Sequence, residues 1–282
     1  MQRPIFVAAT RQHVGKTTVS LALMSGLKKR FDKVGFLKPV GQQHVTVFSN
    51  NQNASIRVDK DVCLVREHFR LDHIDYEHMS PVIIPQGYTK QYVDGEISYD
   101  KQLQDVEGAM QHVTDASDVV MCEGTGHCAV GSIVNVNNAK IASVIGADMI
   151  LIANGGLGSA FDELELNRIL CQHYNVRIAG VIINKVRSDK YEQTKHYLSK
   201  AMKKAWGIPL LGEYISWHVA VETYYTFYLS FRLYLNLPHH TFISTTNPCR
   251  LHPRPSLPRL SCTRRLGITV WLQTHFRQRI SI

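Results

Sequence analysis

The chain has 282 residues, is 44% hydrophobic, and carries a formal net charge of +9. That is enough apolar material for one large domain or two small ones, which excludes a disordered or fibrous class. The charge is unevenly placed. From Thr223 onward there are eight arginines and no lysine, aspartate or glutamate, whereas residues 1–222 hold 24 basic and 23 acidic residues. The body is near-neutral and offers no general polyanion-binding surface. Six cysteines show neither a CxxC pair nor a regular spacing, so no zinc site or disulfide framework is indicated, and a reduced, cytoplasmic setting is the expectation. The N-terminus enters a strand directly, without a leader-like basic and apolar pattern. "YYTFYLSFRLYLNL" (224–237) is too short for a membrane span and is interrupted by Arg232.

In chain order, "PIFVAA" (4–9) reads as a short buried strand. It runs into "TRQHVGKTT" (10–18), and then into a helix with Val19, Leu23 and Leu27 at helical spacing. Strand, glycine-lysine-threonine loop and helix are the order a phosphate-binding loop requires. The loop presents backbone N–H groups and a helix N-terminus to an anion, a lysine to the β/γ-phosphates and a hydroxyl to Mg²⁺. The standard pattern G-x-x-x-x-G-K-[ST] fails at one place, because Thr10 stands where its first glycine belongs. Thr10, His13, Val14, Gly15, Lys16, Thr17 and Thr18 are therefore the candidate nucleotide-binding residues.

"KVGFLKPVGQ" (33–42) reads as a second strand ending at Lys38-Pro39, followed by a polar stretch containing "NNQN". "VDKDVCLVREHF" (58–69) reads as a helix with Val62, Val65 and Phe69 on one face. Residues 79–97 are expected to be loops, with room for a hairpin, and 98–117 return to helix. "DVVMCEGTGH" (118–127) is a continuous apolar run ending in Glu123 and a glycine-rich turn. This is the pattern of a buried parallel strand, whose C-terminal end is where ligands bind in an open α/β sheet. Helix, strand, helix, strand, helix and a last short strand "IPLLGEYI" follow. The alternation predicts an α/β fold with a doubly wound, mostly parallel sheet over residues 1–217. Residues 218–282 form a basic, proline- and arginine-rich tail. It reads either as a nucleic-acid arm or as a chain end outside the folded domain. Its mixture of aromatics and prolines without repeat or amphipathic helix favours the second.

With these segments in place, the chain resembles the dethiobiotin synthetases. "ATRQHVGKTT" is similar to their G-T-x-T-x-x-G-K-T loop, with Ala9 at the first glycine and Thr10 at the threonine. "FLKPVG" resembles their K-P strand end, "CEGTGH" their E-G-A-G-G turn, and "VIINKV" their late strand ending in Asn. The resemblance covers roughly residues 3–215 and is closer still to the related domain that precedes the catalytic domain of some bacterial phosphate acetyltransferases. Cobyrinate amide synthases share the nucleotide domain but add a glutaminase domain, for which no segment is seen here.

The resemblance implies a P-loop NTPase fold that binds ATP and Mg²⁺ and activates a small carboxylate or carbamate, either as a ligase or as an ATPase. The alternative it implies is a non-catalytic, nucleotide-sensing domain. It further implies that Lys16 contacts the β/γ-phosphates, that Thr17 holds the metal, that Glu123 is a second metal ligand or positions a metal-bound water, and that Lys38 binds the substrate carboxylate or carbamate. Asn184 would read the adenine edge. Asp61 matches the metal-binding aspartate, with Asp59 as a rival, and both could instead simply open a helix. His127 replaces a turn glycine of the synthetases, which departs from their substrate pocket. ATP and an unidentified small molecule are the expected partners. A homodimer is allowed, and membrane or nucleic acid is not expected.

Overall fold

The computed structural model describes residues 3–49 and 51–215. The tail assigned to 218–282, with Cys249, Cys262 and the aromatic stretch 224–237, lies outside them.

The chain begins with β1 (Ile5–Ala9), α1 (Lys16–Lys28), β2 (Val34–Leu37), β3 (Val40–Gly41), β4 (His44–Ser49), β5 (Ala54–Asp59) and α2 (Lys60–Phe69). It continues through α3 (Tyr76–Met79), β6 (Val82–Ile83), α4 (Tyr88–Val93) and α5 (Tyr99–Asp115). The second half is β7 (Val119–His127), α6 (Asn138–Val144), β8 (Asp148–Asn154), α7 (Gly158–His173), β9 (Ile178–Val186), α8 (Tyr191–Trp206) and β10 (Leu210–Ile215). Six strands form one sheet in the order β10-β9-β8-β1-β7-β2, and every neighbouring pair is parallel. The expected α/β fold with a mostly parallel central sheet is thus observed.

The central strands are buried along their length because helices cover both faces, which is why β1 and β8 read as unbroken apolar runs. Val19, Leu23, Met24 and Leu27 of α1 are buried. Val106, Ala109, Met110 and Val113 of α5 are buried in the same core.

Three expectations need correction. In the polar stretch around "NNQN", residues 51–53 lie in the turn of an antiparallel hairpin, β4 with β5, paired from His44↔Asp59 to Ser49↔Ala54. Most of its side chains are exposed, so no buried face marked the strands in the sequence. The helix expected from Val58 starts at Lys60, because Val58 and Asp59 still belong to β5. The Asp59 carboxylate caps the helix by accepting from the Asp61 N–H at 3.0 Å. Residues 79–97 contain the short elements β6 and α4 rather than loop alone.

Cys63, Cys122, Cys128 and Cys171 are free thiols. Among the described residues no helix is long and apolar enough to cross a membrane.

At the sheet edge, Glu213 on β10 is 5% exposed, and among the described residues its Oε2 has no hydrogen-bond partner. Burial, more than the nearby Glu192, pushes its carboxyl up to about 7 against the pull of Lys195. A folded-state pKa above the ordinary 4.5 means the native state binds the extra proton between those values. This contribution to stability is complete below about pH 4.5 and is lost as pH rises through about 7. We expect Glu213→Gln to remove that slope and to stabilise the protein at pH 8 by about 2 kcal/mol, allowing for partial solvation. Denaturant titrations at pH 5 and pH 8 check this; an unchanged difference between the two pH values counts against it.

Candidate functional site

The strand order places the ends of β1, β7 and β2 side by side, and the candidate residues follow from that placement. β1 delivers the loop 10–15, β2 ends immediately before Lys38, and β7 carries Glu123, whose partner in β1 is Val7. The loop turns into α1 at Gly15, which is left-handed at φ 90° and has no side-chain cap. His13 is also left-handed, at φ 61°. The first N–H groups of α1 are thus left for an external acceptor. Neither Ala9 nor Thr10 has a positive φ. The chain is still strand-like there, with the Thr10 N–H donating to the Ile152 carbonyl at 2.8 Å.

Glu123 is fully buried and gathers the charged groups. Lys16 Nζ lies 3.0 Å from its Oε1, and the Thr17 hydroxyl donates to the same oxygen at 3.3 Å. Lys38 Nζ stands 3.6 Å from that oxygen, 3.2 Å from Asp59 Oδ1, and in direct contact with Asp61 Oδ2. The structure therefore brings together Lys16, Thr17, Lys38, Asp61 and Glu123, and it admits both rival aspartates. Burial would raise the Glu123 carboxyl, but Lys16 and Lys38 outweigh it and hold it below the usual carboxylate range. Burial would lower Lys38, but Glu123, Asp61 and Asp59 outweigh it and raise the ammonium well above its ordinary value. Glu123 and Lys38 are therefore both charged at neutral pH. Gly41 permits the close approach of β5, since a Cβ there would stand 2.7 Å from Asp59 Oδ2.

The other candidates are placed around the loop. Asn184, at the end of β9, donates to the Val14 carbonyl at 2.7 Å, and Lys185 Nζ donates to the His13 carbonyl. Lys185 is left-handed at φ 59°. The observed contact of Asn184 is thus with the loop backbone; the adenine-edge role is what the resemblance implies. The Thr10 hydroxyl donates to Glu163 Oε2 at 2.8 Å. Thr18 is exposed on the first turn of α1. His127 accepts from the Ala129 N–H at 3.2 Å and so shapes the turn after β7.

Sequence reasoning missed Glu163, Asn167 and Lys185. Asn167 is 7% exposed; its Oδ1 accepts from the Cys128 N–H at 2.9 Å, and its amide donates to the Thr10 carbonyl at 3.3 Å. It ties the phosphate loop to the turn after β7. These residues sit on α7 and β9, more than 150 positions from the loop, and no local pattern marks them.

The donor set suits a small hard cation. Its oxygens come from Glu123, Asp59, Asp61 and the Thr17 hydroxyl, and Glu123 Oε2 is buried with no hydrogen-bond partner among the described residues.

Residues 3–218 match a family model described as an AAA domain. The phosphate acetyltransferase of Nitrosomonas europaea is 29% identical over 203 residues, 68% of this chain and 26% of that protein. The cobyric acid synthase of Clostridium botulinum is 26% identical over 231 residues, 75% of this chain and 44% of that protein. The chain thus spans a minor part of each relative's length. A solved plasmid partition protein from Borrelia burgdorferi superposes with a TM-score of 0.53 at 14% identity, over 83% of this chain and 100% of that one. At that identity the likeness concerns the fold.

A side chain at position 15 would meet Asn184 Nδ2 at 2.3 Å, in a backbone conformation that L-residues adopt at a cost. Gly15→Ala is expected to lower stability by about 1–3 kcal/mol and to push Asn184 off the Val14 carbonyl. Chemical denaturation measures the first, and the shift of the Asn184 side-chain amide NMR signal the second. Parental values for both would refute the constraint.

Proposed function

The chain belongs to the AAA domain family, and on that premise we propose that it binds Mg-ATP in the manner of the dethiobiotin synthetases and uses it to activate a small carboxylate or carbamate. The observation that carries this reading is the convergence of Lys16, Thr17, Lys38 and Glu123 at the C-terminal ends of β1 and β2, beside the middle of β7 and in front of the uncapped start of α1. Bound Mg²⁺ would be held by Thr17, Glu123 and one of the two aspartates, and supplies charge neutralisation on the phosphates. The chain's own residues do the rest. The loop N–H groups and Lys16 hold the β/γ-phosphates, and Lys38 offers its ammonium to the acceptor's carboxylate. An acceptor oxygen then attacks the γ-phosphorus in line, the bond to the β–γ bridging oxygen breaks, and that oxygen leaves with ADP.

A second reading is favoured by one observation. The similarity to phosphate acetyltransferases occupies only about a quarter of their length, so the matched part would be a nucleotide-sensing domain rather than an enzyme. ATP hydrolysis stimulated by small carboxylic acids or amines supports the first reading. Tight Mg-ATP binding without turnover supports the second.

Lys16→Ala is expected to weaken Mg-ATP binding at least a hundredfold by calorimetry, with circular dichroism reporting whether the body stays folded. Unchanged affinity would sink the phosphate-loop reading. Glu123→Gln keeps the shape and removes the charge, so it should leave ATP bound and reduce turnover by at least tenfold. The family match ends at residue 218, which supports 1–217 as the nucleotide-binding unit. Deletion of residues 223–282 should then leave Mg-ATP affinity as in the full chain, and a folded truncation that no longer binds would overturn that boundary.

A further inference from the structure

Three carboxylates and one ammonium share a single buried space at the end of β2. Lys38 is 4% exposed, and its Nζ faces Asp59 Oδ1 at 3.2 Å, Glu123 Oε1 at 3.6 Å, and Asp61 Oδ2 in direct contact. Glu123 and one of the two aspartates, two of the acids that converge on Lys38, are those that would hold a divalent cation with Thr17; around the ammonium the three acids do not all come within one ion's reach of each other. Such a cation takes oxygen ligands at about 2.0–2.1 Å. An ammonium nitrogen at the distances found here stands in that volume, so the two cations cannot both occupy it.

Charge gives the same answer. Asp59, Asp61 and Glu123 bring three negative charges, against which Lys16 and Lys38 set two positive ones. Removing Lys38 from the group without replacement would leave buried like charges facing one another, which is strongly unfavourable.

We propose that Lys38 is the resident counter-ion of this site and exchanges with the divalent cation. Its ammonium neutralises Asp59, Asp61 and Glu123 before loading, and it leaves them when the metal arrives. The proposal deepens the Mg-ATP reading above and rests on it. The backbone of Lys38 is fixed, since its N–H donates to the Met79 carbonyl at 2.9 Å and Pro39 follows it. The exchange is therefore a swing of the four-carbon side chain about an anchored Cα. Metal loading would free the ammonium for the acceptor's carboxylate, so that Lys38 meets the acceptor only after the phosphate site holds its metal. The order of binding would then be written into one side chain.

The test uses Mn²⁺ alone, without nucleotide, on the full chain. Lys38→Met keeps the length of the side chain and removes the competing charge. We expect Mn²⁺, followed by calorimetry and electron paramagnetic resonance, to bind the variant at least tenfold more tightly than the parent. Asp61→Asn should bind it more weakly than the parent. An equal or lower affinity in Lys38→Met overturns the proposal.

A second measurement needs no variant and covers the case in which Lys38→Met fails to fold. Acylation of Lys38 by acetic anhydride, read by mass spectrometry, should be slow in the metal-free protein and rise several-fold on saturation with Mn²⁺. A rate that falls or stays constant on saturation overturns the exchange. If the parent binds Mg-ATP but shows neither effect, only the counter-ion proposal falls. If the parent binds neither Mg-ATP nor Mn²⁺, the reading under Proposed function falls with it.

Discussion

A buried carboxylate that no water reaches must be neutralised from within the protein, and Glu123 imposes that condition on everything around it. Taking one of its two lysine partners away would leave an uncompensated charge in the interior, at a cost on the order of 3–5 kcal/mol. Lys16 comes from the start of α1 and Lys38 from the end of β2, so the pairings fix the phosphate loop and the neighbouring strand end to β7. Asp59 and Asp61 then complete the group from the junction of β5 and α2. The charged cluster is thus a structural joint between four segments. On the function proposed above, it is also the place where the nucleotide's phosphates would be received.

The loop that departs from the usual pattern shows which of the pattern's residues the geometry needs. Gly15 is required twice, by its left-handed backbone and by the Asn184 side chain packed against it. The missing glycine falls at Ala9 or Thr10, where the backbone continues the direction of β1 and bonds to β8. A glycine there would relieve no strain. The loop is instead braced from outside. Asn184 and Lys185 hold its carbonyls, and Asn167 and Glu163 hold Thr10.

The legibility of the chain follows burial. Strands covered on both faces appear as apolar runs, β1 throughout, β7 over Val119–Cys122 and β8 over Met149–Ala153, because helices shield them from solvent. α1 and α5 appear through the spacing of their buried residues. The hairpin of β4 and β5 leaves most side chains in solvent, so its sequence carries no face for a period to mark. The short elements between residues 79 and 97 are likewise too brief for any period to accumulate. Within the site, Gly15, Lys16, Thr17 and Lys38 were legible because each stands next to a strand or helix boundary, and Glu123 because it closes an apolar run, though β7 itself continues to His127. Asp59 and Asp61 could not be told apart, since a carboxylate beside a helix start has the same local signature whether it caps or ligates. The structure shows that Asp59 caps α2 and also faces Lys38.

The sequence by itself determined the alternation of strands and helices, the glycine-lysine-threonine turn after the first strand, and the acid at the end of the apolar run 118–123. Those features are local, set by the period of buried residues and by the few residue types a tight turn admits. Only the tertiary structure decided that β7 lies between β1 and β2, and with it that Glu123 receives both lysines. It alone placed Asn167 and Lys185 on a loop more than 150 residues away. Contacts of that range depend on the order in which strands pair, and strand order leaves no periodic trace along the chain.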